Sequence, residues 1–170
     1  MYKVNRFHIY LALVLALFAH VTLLNYFKIF GAKPDLLLIC VVFFGFFLGG
    51  RLGLETGIAA GFLMDMFTLD AFGVNALVLG TTGFLVGALN TKFFRESKMT
   101  QIFIVFFSSV FSMILHFIVS TLVFRSITIS AGEYIGASVI PSSIYTTVVS
   151  LFVFPKFIDL YNLKDDRQLL

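Results

Sequence analysis

Six apolar runs, joined by connections too short to form a domain of their own, dictate what this chain can become. They fall at 7–27, 36–48, 53–68, 73–90, 101–124 and 134–154. A run of about 20 apolar residues can cross the hydrocarbon of a bilayer as a helix, in which every backbone N–H and C=O is satisfied internally. Of the 170 residues, 59% are hydrophobic and only 12% charged, too little polar surface to cover a water-soluble globule of this size. The fold expected is an all-α polytopic membrane protein: a single transmembrane domain over 1–170, with about six helices in a compact bundle.

The breaks between runs are chemically sensible. Gly31 and Pro34 precede the second segment, Gly49, Gly50 and Arg51 precede the third, and Pro155 follows the sixth. Segments two and three are shorter than a full crossing, which leaves short tilted helices or a re-entrant hairpin open; Arg51 at the tip argues against the hairpin. Lys3 and Arg6 resemble the basic region of a secretory signal, but the apolar run after them is long enough to span and shows no clean cleavage site.

The basic residues set an orientation. With a cytoplasmic N-terminus and six crossings, Lys3, Arg6, Arg51, Lys92, Arg95, Lys98, Lys156, Lys164 and Arg167 fall inside, and Lys28, Lys33 and Arg125 outside. That bias places both termini in the cytoplasm. The same scatter forms no patch for nucleic acid, despite a net charge of +3. Cys40 is the only cysteine, which excludes an intrachain disulfide and leaves a small buried hydrophobe.

Helices in lipid associate through small residues and occasional hydrogen bonds, because no hydrophobic force acts between them there. Segment three carries Gly53, Gly57 and Gly61 at successive i+4 positions, and the same ridge next reaches Asp65. Segment five offers Ser108, Ser112, His116 and Ser120, and segment six Ser138, Ser142, Thr146 and Ser150. Gly45 with Gly49 and Gly83 with Gly87 add two small-residue pairs, while phenylalanines at 43, 44, 46, 47, 103, 106 and 107 face lipid or fill gaps. Each ridge either packs the chain against itself or receives a partner helix.

Asp65 is the most informative polar residue, because a dry carboxylate is costly and one at the interface is not. Two readings stand: a carboxylate hydrogen-bonded to the following loop, around Gly73, or an ion or partner contact. Arg51 and Glu55 are spaced to pair, although a solvated helix end explains them as well. His20 and His116 suit neutral imidazoles hydrogen-bonding a neighbouring helix. Pro141 removes a backbone hydrogen bond one turn into segment six, so a kink is expected there, with Ser142 and Ser143 satisfying the freed carbonyl.

Catalytic equipment is sparse. No nucleotide-binding, zinc-protease or serine-hydrolase motif is present, and of Asp35, Asp65 and Asp70 only Asp65 approaches the hydrocarbon, whereas an intramembrane aspartyl protease needs two. The expectation is a non-enzymatic protein with no cofactor and no metal.

One ordered array is more specific. Pro34-Asp35-Leu36-Leu37-Leu38, then Gly57 and Gly61, Asp65, Gly73-Val74-Asn75-Ala76-Leu77, Gly83-Phe84 and Gly87 resemble the rod-shape-determining MreD family. The resemblance covers nearly the whole chain, with segments one, five and six matching in hydrophobicity only. It implies a bacterial inner-membrane subunit of the elongation machinery that binds the bitopic scaffold MreC and through it links MreB filaments to wall synthases. It makes Pro34, Asp35, Gly53, Gly57, Gly61, Asp65, Gly73 and Asn75 the residues expected to shape the bundle and its partner surface, none of them catalytic. Membrane lipids and a second copy of the chain are the other partners considered. The family is similar in fold to the S-components of energy-coupling-factor vitamin transporters, and substrate binding of that kind is the alternative function.

Overall fold

The shortest of the apolar runs becomes the centre of the molecule. The computed structural model describes residues 6–22, 33–68, 72–89, 97–124 and 131–161. Its elements are α1 (Arg6–Thr22), α2 (Leu36–Leu48), α3 (Gly50–Asp65), α4 (Val74–Leu89), α5 (Lys98–Phe124), α6 (Ala131–Tyr134), a π-helical turn (Ile135–Val139) and α7 (Ile140–Leu160). The last three run on as one rod, giving six rods and no strand among the described residues.

Every residue of α2 from Leu37 to Phe47 is buried, and α1, α3, α4, α5 and α7 all pack against it. A helix apolar on all sides is stable only when enclosed. Here protein does the enclosing, so the length of α2, about 20 Å, need not match the roughly 30 Å of hydrocarbon. Two other rods contain stretches long and apolar enough to cross a membrane, Lys98–Leu122 and Ile135–Leu160. Phe43 is the aromatic hub, its ring 4.7 Å from Phe47, 5.2 Å from Phe157 and 5.3 Å from Phe154. Phe103 and Phe107 of α5 point outward instead, so the phenylalanines divide between gap-filling and the surface.

α2 and α3 are antiparallel, joined through Gly49 at φ +96°, a conformation that a Cβ disfavours. The third segment therefore begins at Gly50 and not at Gly53. α4 returns along α3 with the two backbones in contact. A Cβ on Gly53 would strike the Gly83 carbonyl, one on Gly57 the Leu79 carbonyl, one on Gly61 the Ala76 backbone, and one on Gly87 that of Gly50. A Cβ on Gly45 of α2 would lie 2.7 Å from the same Gly83 oxygen. The ridge of segment three is thus occupied by the chain's own fourth helix.

Four buried hydroxyls are satisfied by their own helices: Thr56 donates to the Leu52 carbonyl, Thr82 to Val78, Thr147 to Ser143 and Ser150 to Thr147. On α7 the buried face runs through Ser143, Thr146, Thr147, Ser150 and Phe154, with Ser142 only partly covered. Of the expected four-residue ridge, Thr146 and Ser150 lie on this face and Ser138 and Ser142 are partly buried. The π turn lies immediately before Pro141, where the missing N–H would leave a carbonyl unpaired. Ser143 does not supply that carbonyl, since its buried hydroxyl has no hydrogen-bond partner.

Gly57→Leu should separate α3 from α4 and cost on the order of 1–3 kcal/mol or more. Thermal unfolding of the purified protein in detergent reads this as a clear fall in Tm, with Gly57→Ala intermediate.

Candidate functional site: a polar cluster at one end of the bundle

α3 ends where α4 begins, and one carboxylate ties the two ends. Asp65, 4% exposed, accepts from the backbone N–H groups of Gly73 (2.9 Å), Asn75 (3.1 Å) and Ala76 (3.3 Å) and from the Asn75 amide (2.8 Å). The first backbone donors of a helix have no partner within it, and the helix dipole favours negative charge there. Asp65 therefore caps α4 from a neighbouring helix. Gly61, one turn earlier, makes the approach possible by lying against the Asn75–Ala76 backbone, and Gly73 at φ +98° turns the chain into α4. Of the two readings of Asp65, the geometry matches the carboxylate bonded to the loop around Gly73, and both its oxygens are used.

Asp35 does the same for α2 from within its own sequence. Its Oδ1 accepts the Leu38 N–H at 2.9 Å, the cap expected of an aspartate before an apolar run. Its own N–H donates to Thr146 Oγ1 at 3.1 Å, fixing the start of α2 to α7. Pro34, buried beside it, supplies no N–H and needs no partner. His20 of α1 lies behind, with Nδ1 4.0 Å from Asp35 Oδ1, beyond hydrogen-bond range, and that buried nitrogen has no partner. His116 has Nδ1 3.5 Å from Ser120 Oγ.

Between these groups is a cavity of about 170 Å³ lined by Asp35, Met64, Asn75, Ser112, His116 and Tyr134 among others. Tyr134 sits at the end of α6, just before the π turn, its ring stacked on Phe117 at 4.7 Å. The structure thus brings Pro34, Asp35, Asp65, Gly73 and Asn75 to one end of the bundle, and leaves Gly53, Gly57 and Gly61 in the α3–α4 seam. Sequence reasoning missed Tyr134, Met64 and the Thr146 bond. Thr146 stands in a noted stripe of small residues, whereas Tyr134 precedes the irregular turn and belongs to no periodic pattern.

The opposite end is pinned by other contacts. Glu55 pairs with Arg6 at 3.2 Å and accepts from the Tyr10 hydroxyl, a partner neither reading of Arg51 and Glu55 named, because α1 packs on α3 there. Tyr161, whose phenol pKa is raised by burial, donates to the His8 carbonyl at 3.0 Å. A second hollow, about 320 Å³ and almost wholly apolar, runs between α1 and α7 over Ala12, Ala16, Cys40 and Phe157, with Lys156 on its edge.

Asp65→Asn should destabilise nearly as much as Asp65→Ala. The amide nitrogen would face backbone N–H donors, leaving buried groups unpaired at about 1–3 kcal/mol each. Equilibrium unfolding of both variants in mixed detergent micelles checks this, and full stability of Asp65→Asn would contradict the capping role.

Comparison with curated proteins and with solved structures gives no match. The family model described as rod shape-determining protein MreD matches residues 1–164, almost the whole chain, including both aspartate caps and the glycine seam. The chain belongs to the MreD family and with it is assigned to rod-shape determination.

Proposed function

We propose that this chain is a non-enzymatic, multi-pass subunit of the cell-elongation complex in the bacterial cytoplasmic membrane, with both termini in the cytoplasm. In this reading it binds the bitopic scaffold MreC and helps couple MreB filaments to peptidoglycan synthesis. The observation that carries it is the family match over residues 1–164.

Orientation rests on charge. Arg6 and Arg51 begin α1 and α3 at the end opposite the polar cavity, which suits a cytoplasmic face. Lys3, Lys28, Lys92, Arg95, Arg125, Lys164 and Arg167 lie outside the described residues. The cavity end, with Asp35 and Asp65, then faces the periplasm.

Because the segment-three ridge is filled by α4, the partner helix docks elsewhere. The hollow between α1 and α7 is the better seat: Ala12 and Ala16, four apart, allow the close backbone approach on which helix pairing in lipid depends. The exposed face of α5, with Phe103, Phe107 and Phe111, offers bulk instead. The alternative, an S-component of a vitamin transporter, is favoured by the polar cavity. At about 170 Å³ that cavity is smaller than the roughly 300–1,000 Å³ of typical ligand pockets, which supports the first reading.

Affinity purification of the tagged chain from its native membrane should recover a bitopic periplasmic scaffold together with wall synthases. Recovery of paired ATPases and a coupling subunit would replace this reading by the transporter one. Filling the hollow with Ala12→Phe and Ala16→Phe should cut scaffold recovery about tenfold, a loss of roughly 1.4 kcal/mol, without lowering Tm; Phe107→Ala should leave recovery unchanged.

A further inference from the structure

The polar cavity has a chemistry of its own, independent of how the chain pairs with a scaffold. Asp35, Asn75, Ser112, His116 and Tyr134 reach it from four different elements. Elsewhere in the bundle the buried hydroxyls of Thr56, Thr82 and Thr147 are returned to their own backbone, in contrast to this convergence.

Every polar side chain of the lining can present an acceptor: Ser112 and Tyr134 a hydroxyl oxygen and His116 a neutral ring nitrogen, each able to donate as well. Asn75 commits its amide N–H groups to Asp65 Oδ1 and, at 3.4 Å, to Thr68 Oγ1, so the atom it has left to offer is its carbonyl oxygen, an acceptor. Asp35 uses Oδ1 on the Leu38 N–H, and among the described residues nothing donates to Oδ2. Among the described residues Asp35 is also the one carboxylate of the lining, which contains no Lys or Arg. The π turn directly after Tyr134, together with its stacking on Phe117, holds a hydroxyl at the wall; such turns recur at functional sites. His20 stands behind Asp35 at 4.0 Å and leaves its carboxylate without a hydrogen bond from that side.

A cavity whose polar groups can all accept, and which carries one carboxylate, suits a cation that carries donors. A primary ammonium offers three N–H groups and a full positive charge. The volume of about 170 Å³ compares with roughly 30 Å³ per water in the liquid, room for a group of only a few heavy atoms. We infer that this cavity binds a primary ammonium group on a short polar chain, carried either by a soluble amine or by a lipid headgroup.

The test uses the full chain, purified in detergent free of phosphatidylethanolamine, and follows thermal unfolding during titration with ethanolamine. Choline, which has the charge but no N–H, and ethylene glycol, which has neither, are run in parallel. A second arm compares nanodiscs of phosphatidylethanolamine and phosphatidylcholine. A saturable rise in Tm with ethanolamine alone identifies a soluble amine; a rise confined to phosphatidylethanolamine nanodiscs identifies a headgroup.

In either case Asp35→Asn, which keeps a capping side chain for α2, should weaken the response about tenfold or more, as expected for losing a charged hydrogen bond. Tyr134→Phe, which leaves the ring stack in place, should weaken it less. No rise in either arm, an equal rise with choline or phosphatidylcholine, or an undiminished rise in Asp35→Asn overturns the inference. None of these results bears on recovery of the scaffold, so the two proposals fail separately.

Discussion

Backbone touching backbone, at the point where Gly45, Gly53 and Gly83 meet, is the constraint on which the rest of the structure depends. Removing side chains at these positions lets α2, α3 and α4 approach until carbonyl oxygens lie where a Cβ would be. In a hydrocarbon solvent, contacts between helices must come from such packing, since lipid tails are as apolar as leucine. The close approach also encloses α2, and an enclosed helix can be short and wholly apolar without meeting lipid. It further sets the distance at which Asp65 reaches the first amides of α4.

The polar groups follow from the same constraint. Helices that pack this tightly leave their ends buried, and end groups without partners are costly in a medium without water. Asp35 and Asp65 answer that need at one end of the bundle, one within its own helix and one across to the next. The other end is closed by Arg6, Tyr10 and Glu55 and by the Tyr161 bond to His8. Once the caps are made, the side chains of Asp35, Asn75, Ser112, His116 and Tyr134 line the cavity and give that end its chemical character.

Much of this was legible in the sequence because it rests on spacing. Glycines four apart mark a helix face that admits another backbone, and an aspartate before an apolar run marks a cap. The Asp65 bonds to the loop near Gly73 were among the readings open from the residues alone. What spacing does not encode is which surface a ridge meets. Gly53, Gly57 and Gly61 suit a partner helix as well as they suit α4, and only the fold shows that α4 is there. Of the Ser138-to-Ser150 stripe, Thr146 and Ser150 are buried and Ser138 and Ser142 partly so. Tyr134 was invisible because the π turn after it interrupts the periodicity on which such a reading relies. The spacing of Glu55 allowed a pair with Arg51 or a solvated helix end, and neither could point to Arg6, which a different helix supplies.

The most direct test of the glycine contact is solid-state NMR of protein labelled with 13C at glycine only, reconstituted in lipid bilayers. Leucines and phenylalanines are then silent, and through-space cross-peaks report glycines on neighbouring helices. The account predicts Cα and carbonyl cross-peaks linking Gly53 with Gly83 and with Gly45, and Gly50 with Gly87. Spectra showing only peaks between glycines close in sequence would mean that α3 and α4 are not in backbone contact, and would contradict the structure described here at its centre.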